Sequence, residues 1–199
     1  MNAHDMSANI PQLFRTYQSH EVPSDCKIWE AARATSATPA LFERIEIGRA
    51  QPFIDGGMGR NNPSWLVLEE ANALFPGRKL GCLVSIGTGQ GGVISVDEPK
   101  AMIDTLKKIV TDCEATHETM LRLFTNFPDA YFRLNVDQGM QGIELSQLEK
   151  LNIVEAHTKH YMRRNEVEKN IDSVVNAIRV PKGQLLIEQF STAMSFMKI

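Results

Sequence analysis

The sequence lacks several features that would each indicate a particular class of protein. It has three cysteines, an odd number with no C-x-x-C spacing, which argues against a disulfide scaffold and favours a reducing compartment. Its 21 basic and 24 acidic residues form no basic block, which argues against nucleic-acid binding. It has no apolar run of about 18 residues for a transmembrane helix, and its first residues do not resemble a signal peptide. These absences predict a cytoplasmic globular protein.

One catalytic motif is also absent. The pattern G-x-S-x-G presents a nucleophilic serine on a sharp turn between a strand and a helix, and it does not occur among the 199 residues. His157 and His160 lie three positions apart on a predicted helix, but no cluster of acids or cysteines accompanies them. We therefore predict neither a metal ion nor another cofactor.

Segments with strand patterns alternate with segments with helical patterns, so the predicted fold class is α/β. The 43% hydrophobic content of the 199 residues is sufficient for one domain with a buried core. Residues 79–86 are nearly all apolar, which is typical of a strand buried on both faces of a parallel sheet. Strands are predicted at 41–47, 52–54, 79–86 and 131–136, and helices at 27–38, 63–75, 100–124 and 146–178, the last with a break.

Two of these helices carry specific signals. Ser146 and Glu149 have the spacing of a capping box, which predicts that a helix begins there. The helix at 27–38 has a face of mostly small residues at helical spacing, which predicts close contact with a neighbouring element. This face contains Ile28, Ala31, Ala32 and Thr35.

Asp55 is the most prominent candidate for a functional residue. It follows an apolar strand, and ligands bind beyond the carboxyl ends of strands in open α/β sheets. Gly56 and Gly57 allow the chain to turn at once and bring backbone N–H groups near the carboxylate. Asn62 is then a good N-cap for a helix that begins at Pro63. Such an acid can orient a partner or act as a general base, although Asp-Gly is also common in simple turns.

Other residues allow weaker hypotheses. Ser85 has half of the serine-elbow pattern, but a strand serine with a local hydrogen bond is the better interpretation, and packing explains Ser36. Gly87, Gly89 and Gly92 form a G-x-G-x-x-G pattern after a strand, which suggests a nucleotide site. Tight turns explain these glycines equally well.

Three blocks of the chain resemble those of the patatin-like lipid acyl hydrolases. Residues 55–57 together with 61–63 are similar to the block D-G-G/A…N-N-P. Residues 29–42 resemble the helix W-x-A-A-R-A-T-S-A-A-P-x-x-F, and residues 85–89 resemble the strand end S-[LI]-G-T-G. The blocks occur in the order and spacing of the family, and the resemblance covers roughly residues 8–165.

The resemblance implies a partial three-layer patatin-like α/β fold with a mostly parallel sheet flanked by helices. It also implies hydrolysis of phospholipid or acylglycerol esters by a serine–aspartate dyad. In that dyad Asp55 is the acid and activates the serine with no histidine between them. Gly56, Gly57, Asn61 and Asn62 form the supporting turn.

In the family, the serine elbow and the glycine-rich oxyanion loop lie upstream of these blocks, and neither has a counterpart in this sequence. We therefore expect residues 1–180 to be the C-terminal part of such a domain and residues 181–199 to be a short C-terminal amphipathic segment. The chain resembles a hydrolase, but without a nucleophile and oxyanion donors we expect it to be inactive alone. It would be a fragment, a partial gene product or a degenerate copy.

The expected partners follow from the same reasoning. They are a lipid ester substrate in the complete domain, the missing N-terminal half or a second copy of this chain, and transiently a membrane surface. No nucleic acid is expected. The alternative function is a non-catalytic interaction or regulatory module that retains the scaffold, and a nucleotide-binding domain is a third possibility.

Overall fold

The computed structural model describes residues 2–7, 10–17, 26–39, 41–91, 112–144, 146–182 and 185–190. These residues form two compact units. The first contains the described residues up to Asn61 together with Asp112 and Cys113, and the second contains the others. Within the described ranges, no helix combines the length and the apolar character that crossing a membrane requires.

The first unit is an antiparallel sheet with a helix packed on it. The strands are β1 (Asn2–Asp5), β2 (Ile10–Leu13), β3 (Ile45–Ile47) and β4 (Gln51–Asp55), and the helices are α1 (Ile28–Ala34) and the short α2 (Gly57–Arg60). The strand order is β2-β1-β4-β3, and every pair is antiparallel. Phe53 of the central strand β4 is fully buried and meets Phe14 edge-on, with ring centroids 5.5 Å apart. Ala31 and Ala34 of α1 belong to the same core.

The second unit combines helices with two short sheets. Its helices are α3 (Ser64–Leu74), α4 (Glu114–Leu123), α5 (Leu151–Met162) and α6 (Asn165–Arg179), and its strands are β5 (Lys79–Leu80), β6 (Leu83–Ile86), β7 (Tyr131–Leu134) and β8 (Leu185–Leu186). Short 3₁₀ helices occur at Leu148–Lys150 and Ile187–Phe190. β5 pairs with β8 antiparallel, and β6 pairs with β7 parallel. The largest core cluster consists of Leu68, Leu83, Met120, Phe124, Ala130, Tyr131 and Leu185.

The α/β composition is confirmed, but the prediction of a mostly parallel sheet differs from the described residues, where only the β6–β7 pair is parallel. Short connections explain the difference. β3 and β4 are joined by a turn at residues 48–50, in which Gly48 and Ala50 have φ angles of 64° and 61°. A turn of this length joins antiparallel strands, because parallel neighbours require a long crossover.

The predicted strand at 79–86 is two strands rather than one. Gly81 and Cys82 belong to neither strand, and β5 and β6 pair with different partners. Leu83 and Ser85 are buried, whereas Ile86 is 76% exposed. The expectation that the strand is buried on both faces was therefore wrong, because apolar composition alone does not specify which side chains meet a neighbouring layer.

The helix predicted at 27–38 is shorter in the structure, and part of its predicted contact face is exposed. α1 ends at Ala34, and the hydroxyls of Thr35 and Ser36 donate to the carbonyl of Ala32 at 3.1 and 2.9 Å. Such side-chain bonds compete with continuation of a helix. Ile28 is 87% exposed and Ala32 is also exposed, so the predicted buried face was wrong for these two residues.

Several other boundaries also test the sequence-based predictions. The strand predicted from residue 41 begins only at Ile45. No capping box forms at Ser146, because a 3₁₀ helix precedes α5 and neither helix has a side-chain cap. The predicted break in the last helix is confirmed at residues 163–164. Of the helix predicted at 100–124, residues 100–111 lie outside the described ranges.

Candidate functional site

Asp55 is the last residue of β4, as the sequence predicts, and β4 is a central strand of its sheet. Its partner across the sheet is Ala3 of β1. The backbone N–H of Asp55 donates to the carbonyl of Ala37 at 3.1 Å, so the end of the strand is also tied to the segment after α1. The side chain is half-buried. The acid therefore lies on a rigid element and retains access to solvent.

The two oxygens of the Asp55 carboxylate have different hydrogen-bond donors. Oδ1 accepts from the backbone N–H of Gly57 at 2.8 Å, and Oδ2 accepts from the hydroxyl of Thr38 at 2.6 Å. A carboxylate oxygen has two acceptor sites, so each oxygen can accept a further hydrogen bond. The group is thus oriented from both sides and can still bind another donor.

Space, rather than an unusual backbone conformation, explains the glycine at position 56, and space is also tight at position 57. Gly56 has φ −67° and ψ −10°, which any residue adopts. A Cβ on Gly56 would lie 1.5 Å from Oδ1 of Asn2 and 2.7 Å from its main-chain oxygen. A Cβ on Gly57 would lie 3.3 Å from Oδ1 of Asp55. Side chains at these positions would displace β1 or crowd the carboxylate.

The two asparagines of the supporting turn have separate local roles. Asn61 follows α2 in the first unit and lies close to Gly57. Its Oδ1 would be 3.5 Å from a Cβ added to that glycine. Asn62 is buried in the second unit, and its Oδ1 accepts from the backbone N–H of Ser64 at 3.2 Å and from its hydroxyl at 2.7 Å. These bonds form a turn just before α3, which begins at Ser64 with Pro63 at its N-cap position and no side-chain cap. The prediction of Asn62 as the N-cap was therefore wrong by one residue.

Ser85 and the glycine turn behave as structural elements of the second unit. Ser85 is buried in β6, and its hydroxyl accepts from Nη1 of Arg133 at 2.9 Å. The N–H groups of Gly87 and Gln90 donate to main-chain carbonyls at 2.8 and 2.7 Å, and that of Gly89 donates to Oδ1 of Asn135 at 2.8 Å. A phosphate-binding loop leaves such N–H groups available to bond the phosphate. Here they already donate to oxygens of the protein, so this geometry disfavours the nucleotide-site hypothesis. Gly92 lies outside the described residues.

Sequence reasoning missed two polar features. Thr38 contacts Asp55 although 17 positions separate them, and no local pattern connects residues at that distance. A second polar group surrounds β7. There, Arg133 Nη2 lies 3.5 Å from Glu114 Oε1, and Nδ2 of Asn135 donates to the same oxygen at 3.1 Å. Burial raises the pKa of Tyr131, and the charge of Arg133 partly offsets this effect.

Among the described residues, the other reactive side chains do not form a second centre. Cys26, Cys82 and Cys113 form no disulfide bond with one another. Burial raises the pKa of the Cys26 and Cys82 thiols, which lowers their reactivity at neutral pH. Within the described part of the chain, no three residues of His, Cys, Asp or Glu gather as metal ligands.

Comparison with known proteins identifies the family. Residues 2–68 match the family model of patatin-like phospholipases. Human calcium-independent phospholipase A2-gamma is 34% identical over 146 residues, which cover 70% of this chain and 18% of the human protein. Phospholipase A I of Arabidopsis thaliana is 30% identical over 141 residues, which cover 66% of this chain and 10% of that protein. A further A. thaliana relative, named "probable inactive patatin-like protein 9", is 36% identical over 67 residues, which cover 31% of this chain and 17% of that protein.

The chain spans less than a fifth of the length of each of these three relatives. The matched residues 2–68 include β4, the turn with Gly56 and Gly57, and the oriented carboxylate of Asp55. Both comparisons confirm the family that the sequence resembles. This chain belongs to the patatin-like phospholipase family.

Proposed function

We propose that this chain supplies the acid of a serine–aspartate dyad that hydrolyses phospholipid or acylglycerol esters, and that Asp55 is this acid. The observation that supports the proposal is the carboxylate at the end of a central strand, oriented by one donor on each oxygen and still half-exposed. The family supports the reaction class.

The proposed chemistry requires a serine that this sequence does not contain in a G-x-S-x-G turn. Asp55 accepts the serine proton while the serine oxygen attacks the ester carbonyl carbon. The acid then returns the proton to the leaving alcohol, and water cleaves the acyl-enzyme by the same route. Backbone donors outside these residues stabilise the oxyanion.

A chimera tests this proposal. The segment of human calcium-independent phospholipase A2-gamma that matches this chain is replaced by this chain, so that the rest of the relative provides the missing groups. We expect fatty acid release from phosphatidylcholine vesicles, and we expect Asp55→Asn to lower kcat by about 10²–10⁴-fold, the usual contribution of an acid–base group. Asp172→Asn, at an exposed aspartate of α6, is the matched control and leaves kcat unchanged.

The isolated chain provides the complementary measurement. It has no nucleophile elbow, so we expect no turnover of a nitrophenyl ester above the uncatalysed rate. Turnover by the chain alone that Asp55→Ala abolishes would contradict the proposal of a missing nucleophile. An active chimera in which Asp55→Asn retains full activity would contradict the role of Asp55.

A non-catalytic interaction or regulatory module is the second candidate. Two observations favour it: the absence of G-x-S-x-G and the similarity to a relative whose name describes it as inactive. A chimera that folds cooperatively but releases no fatty acid would support this candidate against the dyad.

The finer expectations about the complete protein also remain proposals. We propose that the complete domain has three layers and a larger parallel sheet, which a structure of a longer chain would test. Limited proteolysis after residue 180 would test the division into residues 1–180 and 181–199. Cell fractionation and vesicle sedimentation would test the cytoplasmic location and the transient membrane contact.

A further inference from the structure

Thr38 is the donor to Asp55 that lies outside the Asp-Gly-Gly turn. We propose that Thr38 is a positioning residue, whose hydroxyl holds the Asp55 carboxylate in the orientation that a dyad acid needs. The catalytic consequence rests on the proposed function, whereas the orientation itself does not.

The Thr38 hydroxyl is itself held firmly in place. The backbone N–H of Thr38 donates to the carbonyl of Ser36 at 2.9 Å, and its carbonyl accepts from the N–H groups of Leu41 and Phe42 at 3.1 and 2.9 Å. The preceding Ala37 is fully buried, and its carbonyl accepts from the N–H of Asp55. Main-chain bonds on both sides therefore place the hydroxyl 2.6 Å from Oδ2 of Asp55.

Two donors on two oxygens restrict the carboxylate more than either donor alone. Rotation about the Cβ–Cγ bond of Asp55 would break the bond from Thr38 to Oδ2 and the bond from Gly57 to Oδ1 together. Oδ2 retains one acceptor site for an attacking hydroxyl. Fixed orientation of a catalytic group lowers the entropic part of the barrier.

Thr38 is only partly buried, and its main-chain hydrogen bonds do not involve its side chain. Replacement of Thr38 by another small residue that lacks a hydroxyl therefore leaves these main-chain bonds in place and removes the donor to Oδ2 of Asp55.

Amide hydrogen exchange in the full chain, measured by NMR, tests the orientation without substrate. In Thr38→Val the carboxylate rotates more freely, so we expect the Gly57 N–H to exchange about five- to tenfold faster, consistent with loss of one hydrogen bond. The N–H of Asp55, bonded to Ala37, is the internal control and changes less than about twofold. Thr38→Ser keeps a hydroxyl and restores the slow exchange at Gly57, and Thr38→Ala repeats the test with a smaller side chain.

Two results of this measurement would overturn the proposal. One is unchanged exchange at Gly57 in Thr38→Val. The other is equal acceleration at Gly57 and Asp55, since this would show that Thr38 only ties the loop to the strand. In the chimera, Thr38→Val should lower kcat about tenfold at constant KM, and Thr38→Ser should restore it; a constant kcat would also overturn the positioning role. Failure of the dyad itself is seen separately in Asp55→Asn.

Discussion

The substitution Gly56→Ala tests how closely the turn after Asp55 packs on β1. An ideal Cβ at residue 56 lies 1.5 Å from Oδ1 and 2.7 Å from the main-chain oxygen of Asn2. Because nonbonded carbon and oxygen atoms separate to roughly 3.5 Å, the overlaps are about 2 Å and about 0.8 Å. The Asn2 side chain can rotate away, but its main-chain oxygen belongs to β1, which pairs directly with β4. Relief of the second overlap therefore requires movement of the backbone.

We expect Gly56→Ala to lower the free energy of unfolding by about 1–3 kcal/mol, the usual cost of overpacking. Urea unfolding followed by far-UV circular dichroism measures this value. Gly142→Ala is the matched control, because a Cβ there meets no atom within 4 Å, and it should change stability by less than about 1 kcal/mol. Adding Asn2→Ala should recover part of the loss. A Gly56→Ala chain as stable as the Gly142→Ala chain would refute the reasoning.

Two further predictions concern the second unit. Burial raises the pKa of Tyr131 above its ordinary value of 10.0, so above that pH the unfolded phenol ionises first and the free energy of unfolding falls. Tyr131→Phe should reduce this fall in urea titrations at successive pH values, and an identical pH dependence in both chains would contradict the prediction. Among the described residues, no strand pairs with the outer edge of β6, and β6 contains no charged residue or proline. Because such an edge can pair with another chain, we expect this chain to self-associate, which sedimentation velocity would measure. Ile86→Lys should weaken the association while Ile178→Lys, at another exposed position, should not; a monomer at every concentration would argue against the edge.

The sequence predicted the local features of the site because short-range chemistry produces them. The end of the strand at Asp55 and the immediate turn each depend on residues within a few positions of one another. The stop of α3 before Pro76 and Gly77 has the same character, since a proline cannot continue a helix and Gly77 has a φ of 72°.

Other features could not be predicted, because several arrangements satisfy the same sequence pattern. Residues 65–68 of α3 are all apolar, so periodicity alone does not select a buried face, and the structure buries Leu66 and Leu68 while Val67 is 48% exposed. Gly81 interrupts the apolar run at 79–86, where a Cβ would lie 3.2 Å from Pro181, a residue a hundred positions away. Contacts of that range are not present in a local pattern.

The sequence by itself determined that an acid ends a strand and begins a turn, and the block pattern indicated the family, because these are properties of neighbouring residues. Only the tertiary structure decided that Gly56 is needed for the approach of Asn2 and that Thr38 donates to Asp55. The physical reason is that sheet pairing and helix packing bring distant segments together, and hydrogen bonds between such segments orient the carboxylate.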